Sequence, residues 1–200
     1  MSAAGMIPAL DPSSSIAASG IAREVSLSDE ARALLRDGVN VRGFLDALLA
    51  GGLSVDALLV MARALPKRYV IAWACDCLKG LFAQDGTAND VDRAGLSLAQ
   101  QWLADPTEEN RRAAMEFAER AELGCPGAWI AASAGWSGGS LLPKGYDPVP
   151  PPDHLPAEAA VAALRLAASR SAEYATLIKG FVVRALQIFG PAAPAGAAQG

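Results

Sequence analysis

The chain has 200 residues, 52% of them hydrophobic and 19% charged, with a formal net charge of −4. That length suits one globular domain burying roughly 70% of its unfolded surface, and the acidic balance speaks against nucleic acid as a partner. No run of about 18 apolar residues occurs, so no membrane insertion is expected. The odd set Cys75, Cys77 and Cys125 suits a reduced, cytoplasmic protein without disulfides.

Residues 1–27 lack the basic and apolar regions of a secretory signal and read as an N-terminal segment, partly ordered or helical. From Ser28 onward helical punctuation takes over. Ser28 caps a short helix that Gly38 stops, and Asn40 caps a second that ends at Gly51-Gly52, with Val41, Phe44, Leu45 and Leu48 at helical spacing. Leu58, Met61, Ala62 and Leu65 share a face of the next helix, and Pro66 opens another through "KRYVIAWACDC". A turn cluster precedes a helix from Asp90 to Ala104, on which Leu96, Ala99 and Leu103 align. Then comes "DPTEENRRAAMEFAERAELG", where Asp105 is expected to cap, Pro106 to take the first position and Glu108 to close a capping box. Arg112 with Glu116, and Glu116 with Arg120, are spaced to pair on its wet face. "PGAWIAASAGW" reads as a short buried helix, and two more run from Pro156 to about Ala168 and from about Ser171 to Phe189.

No alternating strand pattern survives, so the expectation is an all-α bundle or stacked array of about eight to nine helices over residues 28–189. The connections are short apart from one long Pro/Gly-rich linker, and residues 190–200 read as a disordered tail.

Gly135-Trp136-Ser137-Gly138-Gly139 fits G-x-S-x-G, and Asp147 and His154 follow in the Ser, Asp, His order of serine hydrolases. A nucleophile elbow needs a strand before the serine, whereas capped helices lie upstream, so no catalytic residue is assigned. The stretch reads first as a helix stop. Trp136 is then the last apolar anchor, Gly138-Gly139 supply positive φ, and the serines bond nearby backbone. Its functional alternative is an interaction loop made of Trp136, Ser137, Gly138, Gly139 and Ser140, with Pro150, Pro151 and Pro152.

Cys75 and Cys77 would point about 200° apart on a helix, and with Cys125 and His154 they make no regular zinc spacing, so no metal or cofactor is expected. Trp73, Trp102, Trp129 and Trp136 fall on helical apolar stripes; core packing is the first reading and a ligand pocket the second. Arg111-Arg112 stand near a helix N-terminus, where the macrodipole gives cations nothing, so something else must favour them: first the i, i+4 pairs already named, or else an acidic partner. Pro148 to Pro152 favour an extended polyproline strap, or a ligand for an aromatic groove.

Taken together, "ALPKRYVIAWAC", "WLADPTEENRRAAMEFAE" and the Trp-Ser-Gly-Gly-Ser loop with its Pro-rich strap resemble a family of uncharacterised bacterial proteins of about this length. The likeness runs from about Leu34 to Ala168. It brings no catalytic residue. The all-α pattern without a charged or metal-binding constellation leads to the expectation of a non-enzymatic helical adaptor whose partner is another protein, and the resemblance, which implies an association with type VI secretion loci, points it toward secretion machinery.

Overall fold

Side-chain caps start half of the helices seen in the computed structural model, which describes residues 16–86, 88–142 and 145–188. Ten helices occur among them: α1 (Ala18–Glu24), α2 (Asp29–Ala33), α3 (Val41–Ala50), α4 (Ser54–Ala64), α5 (Lys67–Asp85), α6 (Asp90–Ala104), α7 (Glu108–Arg120), α8 (Pro126–Gly135), α9 (Leu155–Ala168) and α10 (Tyr174–Ile188). The fold is all-α. The described residues form no strand, only an isolated antiparallel bridge between Ala17 and Asn40. The tail expected over 190–200 lies outside the described residues.

Ser28 and Asn40 cap α2 and α3 as read, accepting from the N–H groups of Ala31 and Gly43. Asn89 caps α6 in a full capping box with Asp92. The cap of α7 differs from the expectation. Asp105 ends α6 instead: its N–H bonds to Gln101, and the Asn110 side chain donates to its carbonyl at 2.8 Å. Thr107 takes over as N-cap, accepting from Asn110 N at 3.3 Å, so the capping energy of about 1 kcal/mol belongs to the threonine.

The chain falls into two compact units, one of Met1–Ala64 with Lys179–Gly200 and the other of Leu65–Ile178. In the first, α1, α3 and α4 pack on one another around Phe44, Leu45, Leu48, Leu58 and Met61, all fully buried. Asp56, in the first turn of α4, accepts from both the N–H (2.8 Å) and the hydroxyl (3.1 Å) of Ser28, which ties α2 to that core. An Arg63–Glu24 ion pair joins α4 to α1.

The second unit is built around α8, on which α6, α7 and α9 all pack. Every residue of α8 except Trp129 is buried, and most are Ala, Gly or Ser, because a helix enclosed on several sides has little room for side chains. At the α6–α8 crossing the backbones touch through Gly95 and Gly127: a Cβ on Gly95 would stand 2.1 Å from the Gly127 carbonyl oxygen. Ser133 donates from α8 to the Pro156 carbonyl at 2.7 Å, fixing the start of α9. α5 lies against α6, α8 and α9, and buries Ile71, Trp73 and Leu78.

Asp92 is fully buried and accepts from Gly127 N (3.1 Å), Asn89 N (3.3 Å) and Arg170 Nη1 (2.5 Å). Burial pushes its carboxyl up, but these hydrogen bonds and the Arg170 charge outweigh that and hold its pKa below the usual value. One carboxylate therefore serves the α6 cap, the α8 N-terminus and the end of α9 together.

Candidate functional site

The loop after α8 is organised from α7. Arg111, on the first turns of that helix, is buried, and its guanidinium makes four contacts. It grips Glu108 bidentately (Nε to Oε2 2.6 Å, Nη2 to Oε1 2.8 Å), donates to the Gly135 carbonyl, and reaches the Ser140 carbonyl at 3.3 Å. Those two carbonyls flank the Trp136–Gly139 stretch, so a planar fork spans the whole turn. Arg112 adds an ion pair to Glu108 at 2.7 Å and a bond to the Leu142 carbonyl at 3.4 Å. It thus turns back to Glu108 and away from the Glu116 that its spacing suggested, because the loop supplies a second acceptor on that side.

The two glycines of the loop have different roles. Gly139 sits at φ +68°, and a Cβ there would stand 2.6 Å from Arg111 Nε and 2.7 Å from Glu108 Oε2. Gly138 lacks positive φ and has open space around it, which corrects the expectation that both residues need the left-handed region. Gly139→Ala is therefore expected to cost ~2 kcal/mol, from left-handed strain and displacement of the ion pair, while Gly138→Ala stays within about 0.5 kcal/mol. Denaturant midpoints of the two variants check this, and equal midpoints would refute it.

Ser140 carries the turn onward. Its hydroxyl oxygen accepts from Leu142 N at 3.0 Å and Val149 N at 3.1 Å, and Leu141 N bonds the Val149 carbonyl at 2.8 Å. Pro151 is buried, whereas Pro150 and Pro152 are exposed. The far end is fastened by Leu155 N on the Pro152 carbonyl and by Lys67 on Asp153 at 2.6 Å. The described parts of the loop and the strap, 136–142 and 145–153, are thus bonded to each other and to the helices at both ends. Outward they show Leu141, Leu142, Tyr146 (69% exposed) and Val149.

Ser137 donates to the Ala134 carbonyl at 2.7 Å and follows a helix, while Asp147 and His154 are exposed. The structure does not bring these three together as a triad, and the elbow's strand has a helix in its place. Trp136, expected as a buried anchor, is half-buried and meets Trp129 edge-on, with ring centroids 6.5 Å apart. Trp73 and Trp102 are buried. Cys75, Cys77 and Cys125 are buried thiols, with burial as the main cause pushing Cys75 and Cys125 up. Among the described residues no three His, Cys, Asp or Glu side chains gather to hold a metal.

Hydrogen bonding from Arg111, and then the charges of Arg111 and Arg112, hold the Glu108 carboxyl down at about 2. Asp92 is also lowered. Both folded values lie below the unfolded ones, about 4.3 for Glu and 3.9 for Asp, so their stabilisation is complete above those values and disappears as pH falls through the folded ones. Urea midpoints are expected to be level above about pH 5 and to fall from about pH 4.5 towards 2. Glu108→Gln should flatten part of that slope. An unchanged slope would mean that Glu108 is not coupled to folding.

Sequence reasoning missed Glu108 and Arg111 as the clasp and Ser140 as its relay. The available signal was a pair of arginines placed where the helix dipole disfavours them. The Thr107-to-Arg112 turn and the 136–153 loop both lie within residues 44–189, the span matched by a family model described as a family of unknown function (DUF6931). No match occurs among curated proteins or among solved structures. No described helix is long and apolar enough to cross a membrane. With most of its length covered by that model, the chain belongs to the uncharacterised DUF6931 family.

Proposed function

We propose that this protein is a non-enzymatic helical adaptor that acts by binding another protein through the surface of the 136–153 loop. The observation that carries the reading is a loop with its backbone fixed by Arg111 and Ser140 and its apolar side chains turned outward: Leu141, Leu142, Tyr146 and Val149 are all exposed. Exposed apolar side chains on a preorganised backbone lower the ordering cost of association. The acidic net charge of −4 favours a protein over a nucleic-acid partner. The likeness of the loop and strap to bacterial proteins near type VI secretion loci suggests a cytoplasmic multiprotein system of that kind.

The test is capture of partners from cells by the full chain, beside a Leu142→Asp, Tyr146→Asp variant. A reproducible partner lost in the variant, with an unchanged unfolding midpoint, supports the reading. No partner, or one retained by the variant, overturns it. A second reading, a small-ligand binder, draws on the half-buried Trp129–Trp136 pair. Quenching of tryptophan fluorescence by a metabolite panel, lost in Trp136→Phe, would favour it over the adaptor.

A further inference from the structure

The strap Pro148-Val149-Pro150-Pro151-Pro152 is neither helix nor strand. Proline fixes its own φ near −65° and forces the residue before it into the extended region. Asp147, Val149, Pro150 and Pro151 each precede a proline, so this chemistry specifies a polyproline II path with three residues per turn. On that path residues 148 and 151 share one ridge, 149 and 152 a second, and 150 and 153 a third. Within the strap Pro151 alone turns inward; Pro148, earlier on the same ridge, is exposed, and Val149, Pro150 and Pro152 on the other two ridges face solvent.

Strand addition is not open to this segment. Four of its five residues have no N–H, and both backbone groups of Val149 are engaged, by Ser140 Oγ and Leu141 N. Two exposed ridges on a segment held at both ends, by Ser140 and by the Lys67–Asp153 pair, match a different mode of recognition. Polyproline ligands lay two ridges into a groove between aromatic side chains, and their low conformational entropy favours the complex.

We infer that the strap is a preorganised polyproline ligand and that the partner presents a groove lined by Trp, Tyr or Phe, which takes Val149, Pro150 and Pro152. The inference rests on the adaptor reading and names the partner's chemistry. In the test, p-benzoylphenylalanine replaces the exposed Asp147, beside the strap, in the full chain, adducts formed in cells are mapped by mass spectrometry, and a synthetic peptide of residues 146–154 serves as competitor. The expected result is an adduct within an aromatic-lined groove, competed by the peptide. Capture should also fall at least tenfold in Pro150→Ala, Pro152→Ala with the unfolding midpoint unchanged. Both substitutions are at exposed positions, and an alanine in place of Pro152 keeps the carbonyl that receives Leu155 N. Capture abolished by Leu142→Asp, Tyr146→Asp yet indifferent to the proline variant and the peptide would overturn this inference and leave the adaptor reading standing. An adduct to a second copy of the chain would overturn it in favour of self-association. No adduct and no partner would overturn both.

Discussion

Gly95→Ala is expected to lower the unfolding free energy by at least ~3 kcal/mol, although alanine is the better helix former by about 1 kcal/mol. The added Cβ would stand 2.1 Å from the Gly127 carbonyl oxygen, 2.4 Å from its carbon and 2.8 Å from Phe117 Cε1. The nearest two atoms are backbone, so no rotamer change can relieve the contact and α6 must move off α8. That movement would also pull Asp92 away from Gly127 N, because both lie at the same crossing. Gly127→Ala should behave alike, its Cβ meeting Asp92 Cα at 2.5 Å. Gly180→Ala is the control: that glycine is exposed within α10 with nothing near its missing Cβ, so the change should stabilise by up to about 1 kcal/mol. Denaturant unfolding of the three variants decides the matter. A Gly95→Ala midpoint at or above the wild-type one would mean the helices do not cross so closely.

Gly95 also marks the limit of what the sequence reveals. Helices are legible from local signals: Ser28, Asn40 and Asn89 act within three residues of their own positions, and apolar stripes such as Val41, Phe44, Leu45 and Leu48 report a buried face directly. A glycine inside a helical pattern reads only as a local cost, because the partner backbone that requires it lies more than thirty residues away. Asp105 misleads for a related reason. It stands between two helices, and the local pattern does not say whether its N–H is already taken by Gln101. The loop is legible as a unit but not in its wiring. Trp136 to Ser140 and the prolines are conspicuous, yet the bonds that Arg111 gives to the Gly135 and Ser140 carbonyls cross from one helix to the end of another.

Arg111→Leu should be the most informative change at that loop. The leucine can fill the apolar part of the space, but the Gly135 carbonyl loses its donor, Glu108 loses a bidentate partner and Ser140 loses its anchor. Breaking a buried pair costs about 3–5 kcal/mol; the Glu108 side chain keeps 45% of its exposure and can be re-solvated, which places the expected loss near the lower figure. Arg111→Lys should recover less than half of it, since one ammonium cannot serve Glu108 and two carbonyls on opposite sides of a turn. Glu108→Gln, which retains an acceptor, should cost about 1 kcal/mol. A purely global effect would leave the loop no worse than the rest of the chain, so hydrogen exchange supplies the second readout. The amides of Leu142 and Val149 depend on Ser140, and Ser140 depends on Arg111. In Arg111→Leu these amides should exchange at least tenfold faster relative to those of α5 than in the wild type, and partner capture through the loop should weaken in proportion. Wild-type stability with unchanged exchange at Leu142 and Val149 would show that α7 does not hold the loop, and the adaptor surface would then have to be placed elsewhere on the molecule.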